Sequence, residues 1–104
     1  MRAVVLHEYG SPDKLKFEDN TPEPQIIGST VLIAAAAASV NPIDWKLRSG
    51  MVQKRYPLSL PAILGRDVSG IVRAVGANVK HFKAGDRVLA LSNATYAEDR
   101  KSVV

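Results

Sequence analysis

The stretch GRDVSGIVRAVGANVKHFKAGDRV, residues 65–88, decides the predicted fold. Its first half is apolar and β-branched, a composition that favours a β-strand. Gly70 interrupts this run, and a glycine inside a strand marks a bulge, a bend or a close approach of another backbone. We expect Gly70 to serve the curvature of a barrel rather than the binding of a ligand.

The second half of this stretch predicts a returning strand. Residues 76–78 and 84–86 each form a turn, because glycine and asparagine tolerate the positive φ angles that turns need. The apolar run 87–91 follows the second turn and has the composition of a strand. The loop between the two strands is expected to bury Val79 and Phe82.

The rest of the chain also predicts short strands, at residues 2–7, 15–18 and 96–104. The alanine-rich run 30–40 favours a helix on intrinsic propensity. Its β-branched start, its lack of a polar face and the following Pro42 favour a long strand instead. Many short strands in 104 residues indicate a mainly β fold, either a sandwich or a partly open barrel.

One short helix is predicted at residues 43–48. Asn41 is a good N-cap residue, and the proline after it suits the first helical position, where no N–H is needed. Ser49-Gly50 is expected to end the helix. Asp44 and Arg48 have the i, i+4 spacing of an ion pair that stabilises a helix locally.

Composition excludes several classes of protein. The chain has 104 residues, enough for one domain, and 46% of them are hydrophobic. It has no cysteine, which excludes disulfides and thiolate metal sites, and its two histidines are too far apart in sequence to form a ligand pair. No apolar run is long enough to span a membrane and no leader sequence is evident, so we expect a cytoplasmic protein without a membrane partner.

Positive charge is concentrated in residues 46–66, which contain five basic residues and no acidic one, although the net charge of the chain is only +4. Those five are Lys46, Arg48, Lys54, Arg55 and Arg66. Two interpretations stay open: a solvated rim, or a mouth that attracts a phosphate-bearing ligand. Binding of nucleic acid is not expected, because only two aromatic residues accompany these bases.

Three segments together resemble a known family. SVNPIDWKLRSG at 39–50, GRDVSGIV at 65–72 and GDRV at 85–88 resemble the N-terminal GroES-like domain of medium-chain dehydrogenases/reductases. Within that family, the segments resemble the branch of zinc-independent quinone oxidoreductases. The resemblance implies a GroES-like, partly open β-barrel with one or two short helices. Residues 1–104 would then be the substrate-side catalytic domain of a longer protein, whose nucleotide-binding Rossmann domain would follow.

The resemblance also implies the chemistry. Zinc alcohol dehydrogenases of this superfamily have a Cys where this chain has Asn41 and a His where it has Arg66. A guanidinium cannot ligate Zn²⁺ and an amide is a poor ligand for it, so no metal is expected. The family then transfers a hydride from NADPH to a quinone or an activated C=C bond, such as that of an enal. The full-length protein could be a homodimer, and this segment alone is expected to be inactive because it lacks a dinucleotide fingerprint.

The resemblance assigns roles to five residues. Asn41 is expected to lie near the nicotinamide, a role compatible with its place as helix cap, and Asp44 to take part in cofactor binding. Trp45 and Arg66 are expected to line the substrate cleft. Lys46 occupies a position where many quinone oxidoreductases have a tyrosine in that cleft. Its ammonium could stabilise a developing enolate or quinol oxyanion, or it could be a surface charge. The alternative to an enzyme is a stand-alone GroES-like barrel that acts as a binding or assembly module.

Overall fold

The computed structural model describes residues 1–103 and is built mainly from β-strands, as predicted. The strands are β1 (Ala3–Leu6), β2 (Leu15–Glu18), β3 (Thr30–Ala37), β4 (Ala62–Ile63), β5 (Asp67–Val75), β6 (Arg87–Leu91) and β7 (Asp99–Val103). One α-helix, α1 (Pro42–Ser49), follows β3, and a single 3₁₀ turn (Pro12–Lys14) precedes β2. No helix within the described residues is long and apolar enough to cross a membrane.

Over residues 1–103 the strands form two antiparallel sheets and no closed barrel. The smaller sheet has the order β2-β1-β4 and the larger one the order β6-β5-β3-β7. The alanine-rich run is therefore a central strand, hydrogen-bonded on both sides, although it ends at Ala37 and not at the predicted residue 40. This confirms the partly open arrangement and the single short helix expected from the sequence.

Each sheet contributes one hydrophobic cluster. Val31, Ile33, Val68 and Val72 form the first, on the larger sheet, where alternate residues of β3 and β5 face the same side. The second joins the smaller sheet to α1 and contains Leu6, Leu47 and Leu64. Helix α1 is thus held against the smaller sheet through Leu47.

Position 70 needs a glycine because the backbone of β3 approaches it closely. A Cβ atom added there would lie 2.0 Å from the carbonyl oxygen of Ala34 and 2.9 Å from Cγ2 of Ile33. Gly70 pairs with Ala35 next to an irregularity in the ladder between β3 and β5. The immediate reason for this glycine is therefore the contact with β3, more specific than the barrel curvature expected from the sequence.

The loop between β5 and β6 differs from its prediction. Val79 packs against the larger cluster, but Phe82 remains 37% exposed. The prediction that the loop buries both residues is therefore wrong for Phe82. A loop buries a side chain only when a neighbouring layer covers it, which local sequence does not show.

The final strand begins later than predicted, at Asp99 instead of Tyr96. The N–H groups of Tyr96 and Glu98 donate to the carbonyls of Leu64 (3.1 Å) and Arg2 (3.1 Å), outside the β3–β7 ladder. This segment thus connects the two sheets before it joins the larger one. Val104, the last residue of the predicted strand, lies outside the described residues.

Strand β6 is an edge of the larger sheet and carries an exposed apolar face. Val88 and Ala90 pack against the larger cluster. Leu89 and Leu91 alternate with them and point away from it, with 86% and 88% of their surface exposed. The outer side of β6 is therefore apolar and open in this chain.

We predict that G70A lowers the free energy of unfolding by about 2–3 kcal/mol, because β3 would have to move away from the added methyl group. G85A is the matched control. A Cβ atom at Gly85 would meet nothing within 4 Å, although its φ of +97° makes alanine unfavourable by about 1 kcal/mol. Urea denaturation of both variants measures the difference. A G70A protein as stable as the wild type would contradict the close contact.

Candidate functional site

The first turn of α1 is closed by a buried carboxylate. Asn41 is the N-cap, with extended backbone angles (φ −123°, ψ 160°), and Pro42 is the first helical residue, as predicted. Asp44 is only 4% exposed, and its Oδ2 accepts a hydrogen bond from the backbone N–H of Asn41 (2.8 Å). This bond satisfies one of the N–H groups that every helix start leaves open.

Asp44 also receives hydrogen bonds from two distant segments. The N–H of Gly65 donates to Oδ1 (3.2 Å), and the hydroxyl of Tyr96 donates to Oδ2 (2.8 Å). Burial, and then the hydrogen bond to this carboxylate, raise the pKa of Tyr96, so the hydroxyl stays protonated and remains a donor. We call these four residues, Asn41, Asp44, Gly65 and Tyr96, the Asp44 network.

The predicted pairing of Asp44 with Arg48 is wrong. The guanidinium of Arg48 donates to the carbonyl oxygen of Gly10 (3.0 Å). Asp44 faces the interior, where the three donors of its network already occupy its oxygens. An i, i+4 spacing brings two side chains near each other on a helix surface, but burial of one of them removes it from that surface.

The side-chain amide of Asn41 is held by a second carboxylate. Its Nδ2 donates to Oγ of Ser39 (3.0 Å) and lies 3.5 Å from Oδ2 of Asp67. Ser39 donates to Asp67 through its N–H (2.8 Å) and its hydroxyl. These donors, with the Ser39 hydroxyl first, lower the pKa of Asp67. The amide is therefore oriented by an ionised carboxylate.

Two cavities flank this region. The first, which we call the β5–β6 cavity, has a volume of about 540 Å³ and mostly apolar walls. It is lined by Ala37, Ala38, Ser39, Asp67, Val68, Ser69, Leu89, Ala90 and Leu91. Asn41 is hydrogen-bonded to two of these lining residues, Ser39 and Asp67, so its amide lies at the edge of an apolar space.

The second cavity, which we call the arginine cavity, has a volume of about 650 Å³. It is lined by Leu47, Arg55, Tyr56, Pro57, Leu58, Ser59, Ile63, Leu64, Gly65, Arg66, Asn93 and Ala94. Arg66 lies in its wall, next in sequence to the Asp67 that holds Asn41. Arg55, which belongs to the basic segment 46–66 but has no role assigned by the family resemblance, lies in the same wall.

The predicted site residues thus fall into two groups. Asn41, Asp44 and Arg66 lie at or beside the cavities and are connected through the Asp44 network and Asp67. Trp45 and Lys46 line neither cavity. The Trp45 ring is on the exposed side of α1, and Nζ of Lys46 lies 5.7 Å from its centre. Tyr96 was missed, because no local signal links it to a carboxylate 52 residues away.

No group of three or more His, Cys, Asp or Glu side chains within residues 1–103 has the arrangement of a metal site.

Comparisons with known proteins agree on one family. The model of the alcohol dehydrogenase GroES-like domain matches residues 28–102. The chloroplastic NADPH-dependent alkenal/one oxidoreductase of Arabidopsis thaliana is 44% identical over 90 residues, which are 86% of this chain and 23% of that protein. The quinone oxidoreductase of Homo sapiens is 43% identical over 100 residues, which are 94% of this chain and 30% of that protein.

Solved structures agree with the sequence matches. The Escherichia coli quinone oxidoreductase in complex with NADPH superimposes with a TM-score of 0.88 at 32% identity, and the match covers 99% of this chain and 31% of that one. The chain therefore spans less than a third of the length of each of these three proteins.

We predict that S39A raises the pKa of Asp67 towards the ordinary aspartate range, because the hydroxyl that donates to this carboxylate is lost. Carboxyl NMR titration measures this directly, and S69A, which changes a neighbouring serine in the same cavity wall, is the control. A carboxyl group whose pKa is lower in the folded than in the unfolded chain stabilises the fold at pH values above its unfolded pKa. This stabilisation is lost as the pH falls through its folded pKa. An unchanged Asp67 pKa in S39A would contradict the assignment.

Proposed function

The chain belongs to the family of alcohol dehydrogenase GroES-like domains, and from this premise we propose that it is the substrate-side domain of an NADPH-dependent oxidoreductase that reduces quinones or activated C=C bonds. The observation that carries the proposal is the Asn41 amide, oriented by Ser39 and Asp67 at the edge of an apolar cavity. The sequence similarity to a quinone oxidoreductase and to an alkenal/one oxidoreductase supports it. The rest of the protein, including a nucleotide-binding Rossmann domain, would lie outside this chain.

The residues of this chain fit the nicotinamide end of NADPH. A nicotinamide is a flat apolar ring with a carboxamide, which suits apolar walls with an oriented amide and hydroxyl at their edge. We propose that Asn41, with Ser39 and Asp67 behind it, contacts this end, and that Asp44 acts by holding the Asn41 backbone. The sequence has no Gly-x-Gly-x-x-Gly turn for the diphosphate. NADPH, when bound, supplies the hydride for the reduction.

The substrate would bind on the Arg66 side of this arrangement. Reduction of a quinone or an enone places negative charge on a carbonyl oxygen, and a fixed cation near that oxygen stabilises it. We propose that Arg66 and Trp45 line the substrate cleft and that Lys46, whose ammonium lies 5.7 Å from the centre of the Trp45 ring, supplies the cation. The reaction would proceed without zinc, because Asn41 and Arg66 stand at the positions of a Cys and a His in zinc alcohol dehydrogenases. An amide is a poor ligand for zinc, and a guanidinium does not bind it.

A comparison of two proteins tests this proposal. We expect the 104-residue chain to bind NADPH weakly in calorimetry and to have no activity. The protein expressed from the complete reading frame should oxidise NADPH with menadione or an enone, with EDTA present. N41A should lower its kcat/KM by about 10- to 100-fold, because the cofactor loses an oriented partner. N20A, which removes an exposed loop amide, is the control. Submicromolar binding of NADPH by the short chain would refute the division of roles.

The role of Lys46 has its own test. If its ammonium stabilises the oxyanion, K46M lowers kcat by about tenfold or more with little change in KM, since the interaction forms in the transition state. K54M removes a neighbouring exposed lysine and should leave both constants unchanged. Equal kcat values for K46M and the wild type would make Lys46 a surface charge.

A further inference from the structure

Two arginines, Arg55 and Arg66, line the arginine cavity, and no acidic residue of the described part of the chain lines it. Arg55 and Arg66 are both exposed and both lie in the cavity wall. Neither takes part in an ion pair within residues 1–103, where the recorded pairs involve other basic residues, namely Arg2, His7, Lys14, Arg73 and Lys83. The cavity therefore has two positive charges that the described part of the chain does not neutralise.

The two carboxylates nearest to these arginines in sequence, Asp44 and Asp67, already accept hydrogen bonds from other groups. Asp44 is buried behind Gly65 and accepts three hydrogen bonds in its network. Asp67 follows Arg66 directly but is bonded to Ser39. Because hydrogen-bond donors already satisfy both carboxylates, they are poor partners for the arginines. An anion that enters the cavity would thus find two donors in the open fork geometry that binds carboxylates and phosphates.

The other residues that line the arginine cavity indicate what the rest of the ligand should be like. Leu47, Leu58, Ile63 and Leu64 supply apolar surface, and about 650 Å³ is the size of a pocket for a small molecule. The guanidinium of Arg55 lies 5.5 Å from the centre of the Tyr56 ring, which restricts its position. The cavity thus suits a molecule with an apolar body and an anionic end.

We propose that the arginine cavity selects substrates that carry a carboxylate or a phosphate, held by Arg55 and Arg66, on an apolar quinone or enone. The reacting group rests on the proposed function. The anionic group rests only on the charges of the cavity, so the two parts of the proposal can fail separately.

Binding without cofactor tests the anionic part. The probes are 4-(3-oxobut-1-enyl)benzoate and its neutral parent, 4-phenylbut-3-en-2-one, which share the enone and differ by one carboxylate. We expect the 104-residue chain to bind the carboxylate at least about tenfold more tightly, with a preference that weakens in high salt. In R55Q/R66Q the ratio of the affinities for the carboxylated and the neutral probe should fall to about one. K54Q, which removes an adjacent charge outside the cavity wall, should retain the preference.

The outcomes are distinct. Equal affinity of the wild type for both probes, or an undiminished preference in R55Q/R66Q, overturns the proposal. Circular dichroism checks that each variant is folded. For a variant that does not fold alone, the ratio of kcat/KM for the two probes in the protein from the complete reading frame replaces the binding ratio. Inactivity of that protein would refute the proposed function and leave the binding preference intact.

A second arm separates the substrate from the cofactor as the source of the anion. Adenosine 2′,5′-bisphosphate presents phosphates similar to those of NADPH without a reactive ring. We expect it to bind the 104-residue chain more weakly than the carboxylated enone. Tighter binding that is lost in R55Q/R66Q would assign the arginines to the cofactor and overturn the proposal.

Discussion

The buried carboxylate of Asp44 is the interaction on which the rest of this structure depends. It joins the first turn of α1 to Gly65, just before β5, and to Tyr96, in the segment that crosses to the larger sheet. Removing a carboxylate from water costs several kcal/mol, and only complete hydrogen bonding offsets that cost. The network therefore specifies one relative placement of the helix, the smaller sheet and the crossing segment.

The same network determines what the candidate site can do. Asp44 fixes the backbone of Asn41, while Asp67 and Ser39 fix its side chain. An amide held at both ends loses little entropy when a ligand binds, which is the benefit of preorganisation. Arg66 directly precedes Asp67, the first residue of β5, so the residues proposed to contact the cofactor and the substrate are adjacent in the backbone.

Much of the fold was predictable from local pattern, because strand and helix signals are local. The β-branched start of β3 outweighed its alanines, and the asparagine-proline pair marked the start of α1. The Tyr96–Asp44 bond, the true partner of Arg48 and the late start of β7 were not predictable, because each depends on residues far apart in sequence. Arg55 and Arg66 were both recognised as part of the basic segment 46–66, but their shared place in one cavity wall was not predictable, because residues 51–60 have no periodicity that fixes their path.

The open edge of β6 has a practical consequence. An edge strand offers unpaired backbone groups to any other chain, and charges or a covering segment normally protect it. Here the exposed side chains of Leu89 and Leu91 give that edge strand an apolar outer face. In concentrated solution, molecules of this chain should stack strand against strand unless something shields them. Lysines at these two positions would oppose such stacking and leave the inward-facing Ala90 between them unchanged, although they would also change the wall of the β5–β6 cavity.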